Sequence, residues 1–199
     1  MIFPKNGLIV FILAFIPHTL FSQDFTKSNK FNGQFGIEGG NYGGLSVGVN
    51  YLFWEDFTAQ FSYHFLVSAA EEKPNDYQAS TFDYFTLGGS SPWDAYNVFQ
   101  LTGGKNLNLS PTSKTFLSLK AGLAFASYSY ATNFEQVDFN FFNVSYVFDR
   151  EKGSLFFLVV HPSVEIPLSQ TTGFSLGLVG RFSDRENLYG LSFAYVFLK

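Results

Sequence analysis

The chain has 199 residues; 20% are aromatic, and it contains 27 Phe, 18 Gly, one Met and no Cys. That length holds one domain, and so much apolar surface excludes a disordered chain. A charged fraction of 14% and a net charge of −4 speak against nucleic-acid binding. The lack of Cys excludes a disulfide framework, a thiolate metal site, a Cys nucleophile and a lipoprotein anchor.

The first 22 residues read differently from the rest. Lys5 gives a positive start, an apolar run extends from Leu8 to Ile16, Pro17 breaks it, and Leu20-Phe-Ser-Gln23 closes it. This is the layout of a secretory signal peptide cleaved after Ser22. The apolar run is too short for a spanning helix, which needs about 20 residues. Cleavage leaves 177 residues with 11 basic and 16 acidic side chains, net −5. Residues 23–30 are then a short periplasmic lead, and 31–199 form the folded domain.

Beyond residue 30 the dominant signal has period two. Leu45, Val47, Val49 and Tyr51 alternate with Ser46, Gly48 and Asn50. Phe57 to Val67 alternate with Thr58, Gln60, Ser62, His64 and Leu66. Phe174, Leu176, Leu178 and Phe182 alternate with Ser175, Gly177, Val179 and Arg181; Tyr189 to Phe197 repeat the pattern. Such alternation means strands with two unlike faces. One face is bulky and apolar, and the other is mostly Gly, Ser, Ala, Asn and Gln. A soluble barrel would set many charges on its outer face. A small-residue face suits a crowded interior, leaving the aromatics to face lipid. Of the charged residues well inside strands, Glu38, Lys120, Glu165 and Arg181 fall on the small face and only Lys105 on the apolar face. Near a strand end, Lys105 can snorkel.

Three segments repeat a strand, a short turn and a restart at Phe: 51–57, 107–116 and 165–174. They read as short turns on one rim. Connections near 41–43, 69–93, 128–152 and 184–187 fall on the other, and short inner turns with longer outer loops mark transmembrane barrels. The expectation is an all-β, up-and-down antiparallel barrel of eight strands, roughly 31–40, 43–54, 57–68, 95–107, 114–127, 153–166, 172–183 and 187–198. Ten strands are the alternative, because 81–88 and 137–148 also look strand-like; 137–148 reads otherwise as a strand extension above the membrane. Pro162 lies inside an expected strand and should mark a bulge or a lost ladder bond.

The last strand carries a resemblance. Gly190-Leu-Ser-Phe193-Ala-Tyr195-Val-Phe197 is similar to the C-terminal signal that the barrel-assembly machinery reads. It departs at Leu188, where a polar residue is usual, and in the two residues after Phe197. With the Phe-Ser-Gln export junction, the chain resembles small outer-membrane β-barrels of the OmpA and OmpX type. The junction resembles Bacteroidetes signals, and the layout is similar to that phylum's conjugal-transfer barrels. The resemblance implies a Gram-negative outer-membrane location, with membrane lipid and the assembly machinery as partners.

Gly44-Leu-Ser46-Val-Gly48 and Gly173-Phe-Ser175-Leu-Gly177 fit G-x-S-x-G, and Gly190-Leu-Ser192-Phe-Ala194 nearly does. A nucleophile elbow needs a strand-to-helix turn at the Ser, and these lie inside alternating strands. No catalytic residue, cofactor or metal is assigned. Glu38, His64, Lys120, His161, Glu165 and Arg181, with Gln34, Asn50, Gln60 and Gln100, form an inward polar set. Buried charges must pair, so this set reads as a structural network filling the lumen, with Arg181 reaching Glu38 across the final strand where Gly190 and Ser192 leave room, and Lys120 beside Glu165 on the adjacent strand; a polar transit path is the other reading. His64 and His161 fall on non-adjacent strands and are read as lumen fillers. Trp54, Tyr51, Trp93, Tyr96, Tyr128 and Tyr189 read as interfacial girdles. Segments 69–93 and 128–152 are acidic.

The expected function is that of a non-enzymatic, integral outer-membrane barrel acting through its outer loops, with an unidentified partner, or in envelope integrity. A small porin-like channel is the first alternative. A soluble secreted barrel with its aromatic face turned inward around an apolar ligand is the second.

Overall fold

A computed structural model describes residues 31–53, 56–74, 92–109, 115–136, 146–169 and 172–198. The expected leader, the lead at 23–30, Trp54, the strand-like segment 81–88 and residues 137–145 of the strand-like segment 137–148 lie outside them.

Eight antiparallel strands run in chain order: β1 (Phe31–Gly40), β2 (Gly43–Phe53), β3 (Phe57–Ala69), β4 (Trp93–Asn108), β5 (Phe116–Gln136), β6 (Tyr146–Pro167), β7 (Thr172–Phe182) and β8 (Asn187–Leu198). Each pairs with its chain neighbours, and β1 pairs with β8 to close the barrel. The eight-strand expectation holds. β1 begins and β8 ends on one rim, here the terminal rim, where the β2–β3, β4–β5 and β6–β7 turns also lie. The β1–β2, β3–β4, β5–β6 and β7–β8 connections lie on the far rim.

The stagger follows from the pairings. From Phe31 they lead through Tyr51, Ala59, Gly103, Ala121, Val160, Gly180 and Tyr189. Tyr189 then bonds back to β1's end at Asn41, ten residues beyond Phe31. Closing a tilted sheet demands such an offset. It means that residues paired across the ladder do not share a level along the barrel axis.

The period-two pattern sorts as expected. Phe35, Val47, Phe61, Leu101, Leu123, Phe156, Leu178 and Phe193 all point outward, one from each strand, with exposures from 44% to 73%. Glu38, Lys120, Glu165 and Arg181 point inward and are buried. The aromatic face is therefore convex and the small polar face lines the lumen, which overturns the inside-out, ligand-binding alternative. Lys105 is on the convex side near the terminal rim, 3.8 Å from Asp56 and above the Phe57 ring.

Two expectations need correction. The segment 128–152, read as a loop, is largely strand. β5 continues past Ser129, its last residue paired with β4, and β6 starts twelve residues before Leu158, its first paired with β7. The two form a ribbon above the far rim. A bulge between Thr132 and Glu135 carries Asn133 at φ 55°, left-handed backbone that Asn tolerates. Tyr96 and Tyr128, assigned to the girdles, instead face inward and are buried. Their positions near strand ends were informative about level, but parity sets direction, and both share the parity of the lumen residues on their strands. Trp93 and Tyr189 do face outward.

Pro162 acts as expected. β6 pairs with β7 at Val160↔Gly180 and again at Ser163↔Gly177, with no pairing at His161 or Pro162 between them. The register is the same on both sides, so rungs are missing without a slip.

Gly153 sits opposite Tyr128, and a Cβ there would run into the Tyr128 ring and hydroxyl. Gly153→Val should displace that ring and lower stability by about 1–3 kcal/mol, read as an earlier urea midpoint in detergent micelles.

Candidate functional site: the lumen and the far mouth

The ten-residue stagger brings Glu38 of β1, His64 of β3, Gln100 of β4 and Arg181 of β7 to one level. None is a sequence neighbour of another. Arg181 is wholly buried. It donates from Nη1 to Glu38 Oε2 at 2.8 Å and from Nη2 to Glu38 Oε1 at 3.1 Å. Two near-parallel bonds make the strong, planar Arg–carboxylate arrangement. Arg181 Nε donates to Gln100 Oε1 at 3.1 Å, and Nη1 also donates to the Tyr42 hydroxyl at 2.8 Å. Tyr42 in turn donates to Glu38 Oε2 at 2.7 Å. His64 Nδ1 lies 2.8 Å from Glu38 Oε1, and its Nε2 lies 2.8 Å from Ser62 Oγ. A neutral tautomer protonated on Nδ1 donates to Glu38 and accepts from Ser62, while Arg181 Nη2 lies 3.0 Å from the same Nδ1.

The expected Arg181–Glu38 contact is thus present, in the space left by Gly190 and Ser192. Tyr42 was missed. It lies in the β1–β2 turn, outside any alternating run, and the available signal was its place four residues after Glu38 beside a short turn.

Toward the terminal rim, Lys120 donates to Glu165 Oε1 at 3.1 Å, the adjacent-strand pair expected from sequence. His161 Nε2 lies 2.9 Å from Ser192 Oγ. Asn50 Nδ2 donates to Asn32 and Gln34 side-chain oxygens at 2.7 and 3.2 Å. His64 and His161 do not pair. Among the described residues no group of three His, Cys, Asp or Glu could hold a metal.

Toward the far rim the lumen turns apolar. Leu66, Val98, Ala126, Leu155, Phe157 and Leu188 are buried together with Tyr96 and Tyr128. Leu188, the departure from the assembly-signal pattern, is wholly buried in this cluster. Above it, Tyr96 and Tyr130 both donate to Glu186, at 2.7 and 2.8 Å. Burial and that carboxylate push the Tyr130 hydroxyl above its ordinary range, so it remains a donor. Arg185 lies over the Tyr128 and Tyr130 rings at 5.0 and 5.1 Å and donates to Glu151 at 3.1 Å. These contacts tie the β7–β8 turn across the mouth to the base of the ribbon.

Ser46, Ser175 and Ser192 are buried on lumen faces inside β2, β7 and β8. No helix follows them, so none forms a nucleophile elbow. In β8, Phe193 and Phe197 point outward, Tyr195 is half-buried against Phe174, and Gly190 faces inward.

Comparison with solved structures agrees with this architecture. The N-terminal β-barrel domain of Pseudomonas aeruginosa OprF superposes with a TM-score of 0.55 at 9% identity, covering 86% of this chain and 98% of that one. Yersinia pestis Ail, the attachment invasion locus protein, gives 0.52 at 9% identity, covering 87% and 99%. The chain has the fold of these small outer-membrane barrels. No sequence family matches it, and no curated protein matches it by sequence.

Glu38→Ala would leave the Arg181 guanidinium buried without its carboxylate. Removing one partner of a buried pair costs about 3–5 kcal/mol. The expected result is an earlier unfolding midpoint, or an open conductance in planar bilayers if the layer acts as a gate. A Glu38→Leu/Arg181→Met double variant should recover most of the loss. Unchanged unfolding with silent bilayers would refute both roles for the pair.

Proposed function

We propose that this protein is an integral outer-membrane barrel, sealed along its axis and non-enzymatic, that works at the outer surface through its far rim. The observation that carries the reading is the convex face. Every strand of a closed barrel turns bulky apolar side chains outward, and Lys105 beside the terminal rim is the charge that shares that face between the rims among the described residues. Water does not suit so continuous an apolar belt, whereas a bilayer requires it.

The far rim then faces outward, since it carries the longer connections and the ribbon, and the terminal rim faces the periplasm. The free edge of β6 from Tyr146 to Phe157 has no strand beside it among the described residues. Asp149, Arg150, Glu151 and Lys152 punctuate that edge, as exposed edges require to avoid indiscriminate pairing. The ribbon is the surface best placed to meet a partner. The C-terminal pattern of Gly190, Phe193, Tyr195 and Phe197 supports delivery by the barrel-assembly machinery, and the leader at 1–22 supports export.

A channel reading is less well supported. An eight-stranded barrel has room only for its own side chains, and here the Arg181 layer and the apolar cluster above it both cross the lumen.

On a denaturing gel, the unboiled protein from the outer-membrane fraction should migrate differently from the boiled sample. A soluble protein without that shift would refute the membrane reading. Leu101→Arg, in mid-strand on the convex face, should lower stability in vesicles by about 2–4 kcal/mol. In planar bilayers the protein should pass no steady unitary current, and sustained openings would move the reading to a pore.

A further inference from the structure

The mouth at the far rim sorts its charges by side. On β6, Asp149 and Glu151 share the parity of Leu155 and Phe157, which are buried in the lumen, whereas Arg150 and Lys152 share the parity of Phe156, which is exposed on the convex face. The acids at the base of the ribbon therefore face the barrel axis, and its bases face away. Asp94, buried on the lumen side of β4, and Glu186, at the end of the β7–β8 turn, add carboxylates to the axis side. Into this acidic ring the turn sends the Arg185 guanidinium.

The groups that receive Arg185 are fixed without it. The Tyr128 ring lies against Gly153, where no Cβ intervenes, and stacks on the Tyr130 ring at 4.2 Å between centroids. Tyr130 donates to Glu186, and Tyr128 donates to Glu151 Oε1 at 3.4 Å. Arg185 then donates from Nη1 to the Tyr128 hydroxyl at 2.6 Å and from Nη2 to Glu151 Oε1 at 3.1 Å. The turn that carries it is closed by Ser183, whose backbone N–H and hydroxyl both donate to the Glu186 carbonyl. The receiving groups thus belong to β5 and β6, and the turn keeps its shape without the Arg185 side chain.

The hold on Arg185 is weak. Its side chain is 46% exposed and that of Glu151 is 48% exposed, and an ion pair open to water contributes little. A hydroxyl and a carboxylate side by side match the planar fork of a guanidinium better than the point charge of an ammonium. A guanidinium from outside meets the same two acceptors in the same acidic surroundings. We propose that the far mouth is a receptor for an arginine side chain of a partner protein, and that Arg185 is its resident occupant, displaced when the partner binds. The partner segment is basic, because the axis-facing carboxylates attract it while Arg150 and Lys152 repel it from the outer side of the ribbon. This assignment rests on the outward-facing far rim and names the chemistry of what that rim meets.

The probe is a short, end-blocked peptide of alternating glycine and arginine that carries fluorescein, with a lysine version beside it. Binding is read as fluorescence anisotropy against folded protein in uncharged detergent micelles, where both rims are open to solvent, and unboiled gel mobility confirms that each variant is folded. Arg185→Ala, which empties the receptor, should bind the arginine peptide about tenfold more tightly than the unaltered chain, because the resident competitor is gone. It should also prefer that peptide to the lysine version by about tenfold. Adding Glu151→Gln or Tyr128→Phe to Arg185→Ala should abolish the gain. Equal affinity of Arg185→Ala and the unaltered chain would overturn the resident role. Equal binding of the two peptides would overturn the arginine receptor, leaving a general attraction for cations. Orientation is read separately, with the arginine peptide added outside intact cells that carry Arg185→Ala. Binding in micelles without binding to those cells would overturn the outward-facing rim and not the receptor, whereas no binding in micelles would overturn the receptor whichever way the rim faces.

Discussion

Closure of eight strands with a ten-residue stagger is the constraint on which the rest of the molecule depends. It makes a tube only as wide as its own side chains can fill. The inward face must therefore consist of small or mutually bonded residues, and the outward face inherits the bulky ones. Closure also removes the free edges of the sheet between the rims, so the backbone there is bonded along ladders apart from one interruption in β6–β7, as the hydrocarbon interior of a membrane would demand. The interruption at His161 and Pro162 is tolerated because the register resumes unchanged on the other side.

The interior is layered by chemistry. A carboxylate and a guanidinium at mid-lumen can stay ionised only by bonding each other and their neighbours, and Glu38, Arg181, Tyr42, His64 and Gln100 achieve this together. Aliphatic packing fills one side of that layer. Hydroxyls and amides fill the other, with Lys120 and Glu165 as their own pair. At the far mouth, Arg185, Glu186 and three tyrosines anchor a four-residue turn to β4, β5 and β6. The ribbon thus rises from a fixed base.

Much of this was legible in the sequence, because side-chain direction in a strand is a local property. Strict alternation separated Phe35, Val47 and Leu178 from Glu38, Ser46 and Arg181 with no knowledge of the fold. The repeated turns at 51–57, 107–116 and 165–174 counted strands correctly for the same reason. The misreadings share another cause. Tyr96 and Tyr128 were assigned by their place near strand ends rather than by their parity. The extension of β5 and β6 was legible only around 137–148, because the rest of Tyr128 to Lys152 mixes aromatics with charges, and a ribbon exposed on both faces has no unlike faces to alternate. Tyr42 was invisible because a turn residue has no periodic context.

Period-two alternation thus assigned the parity of each strand and the inward charges that need partners, and the repeated turns pointed to eight strands rather than ten. These follow from period-two geometry and from the cost of burying a lone charge. Level along the axis is different, because it belongs to the whole barrel. Which inward residues meet depends on the stagger accumulated around the whole barrel, a property of all eight registers at once. That is why Glu38 meets an arginine 143 positions away, and why the aliphatic residues gather on one side of that pair. No local pattern records a sum over eight pairings, so none could have shown where along the axis the lumen changes from polar to apolar.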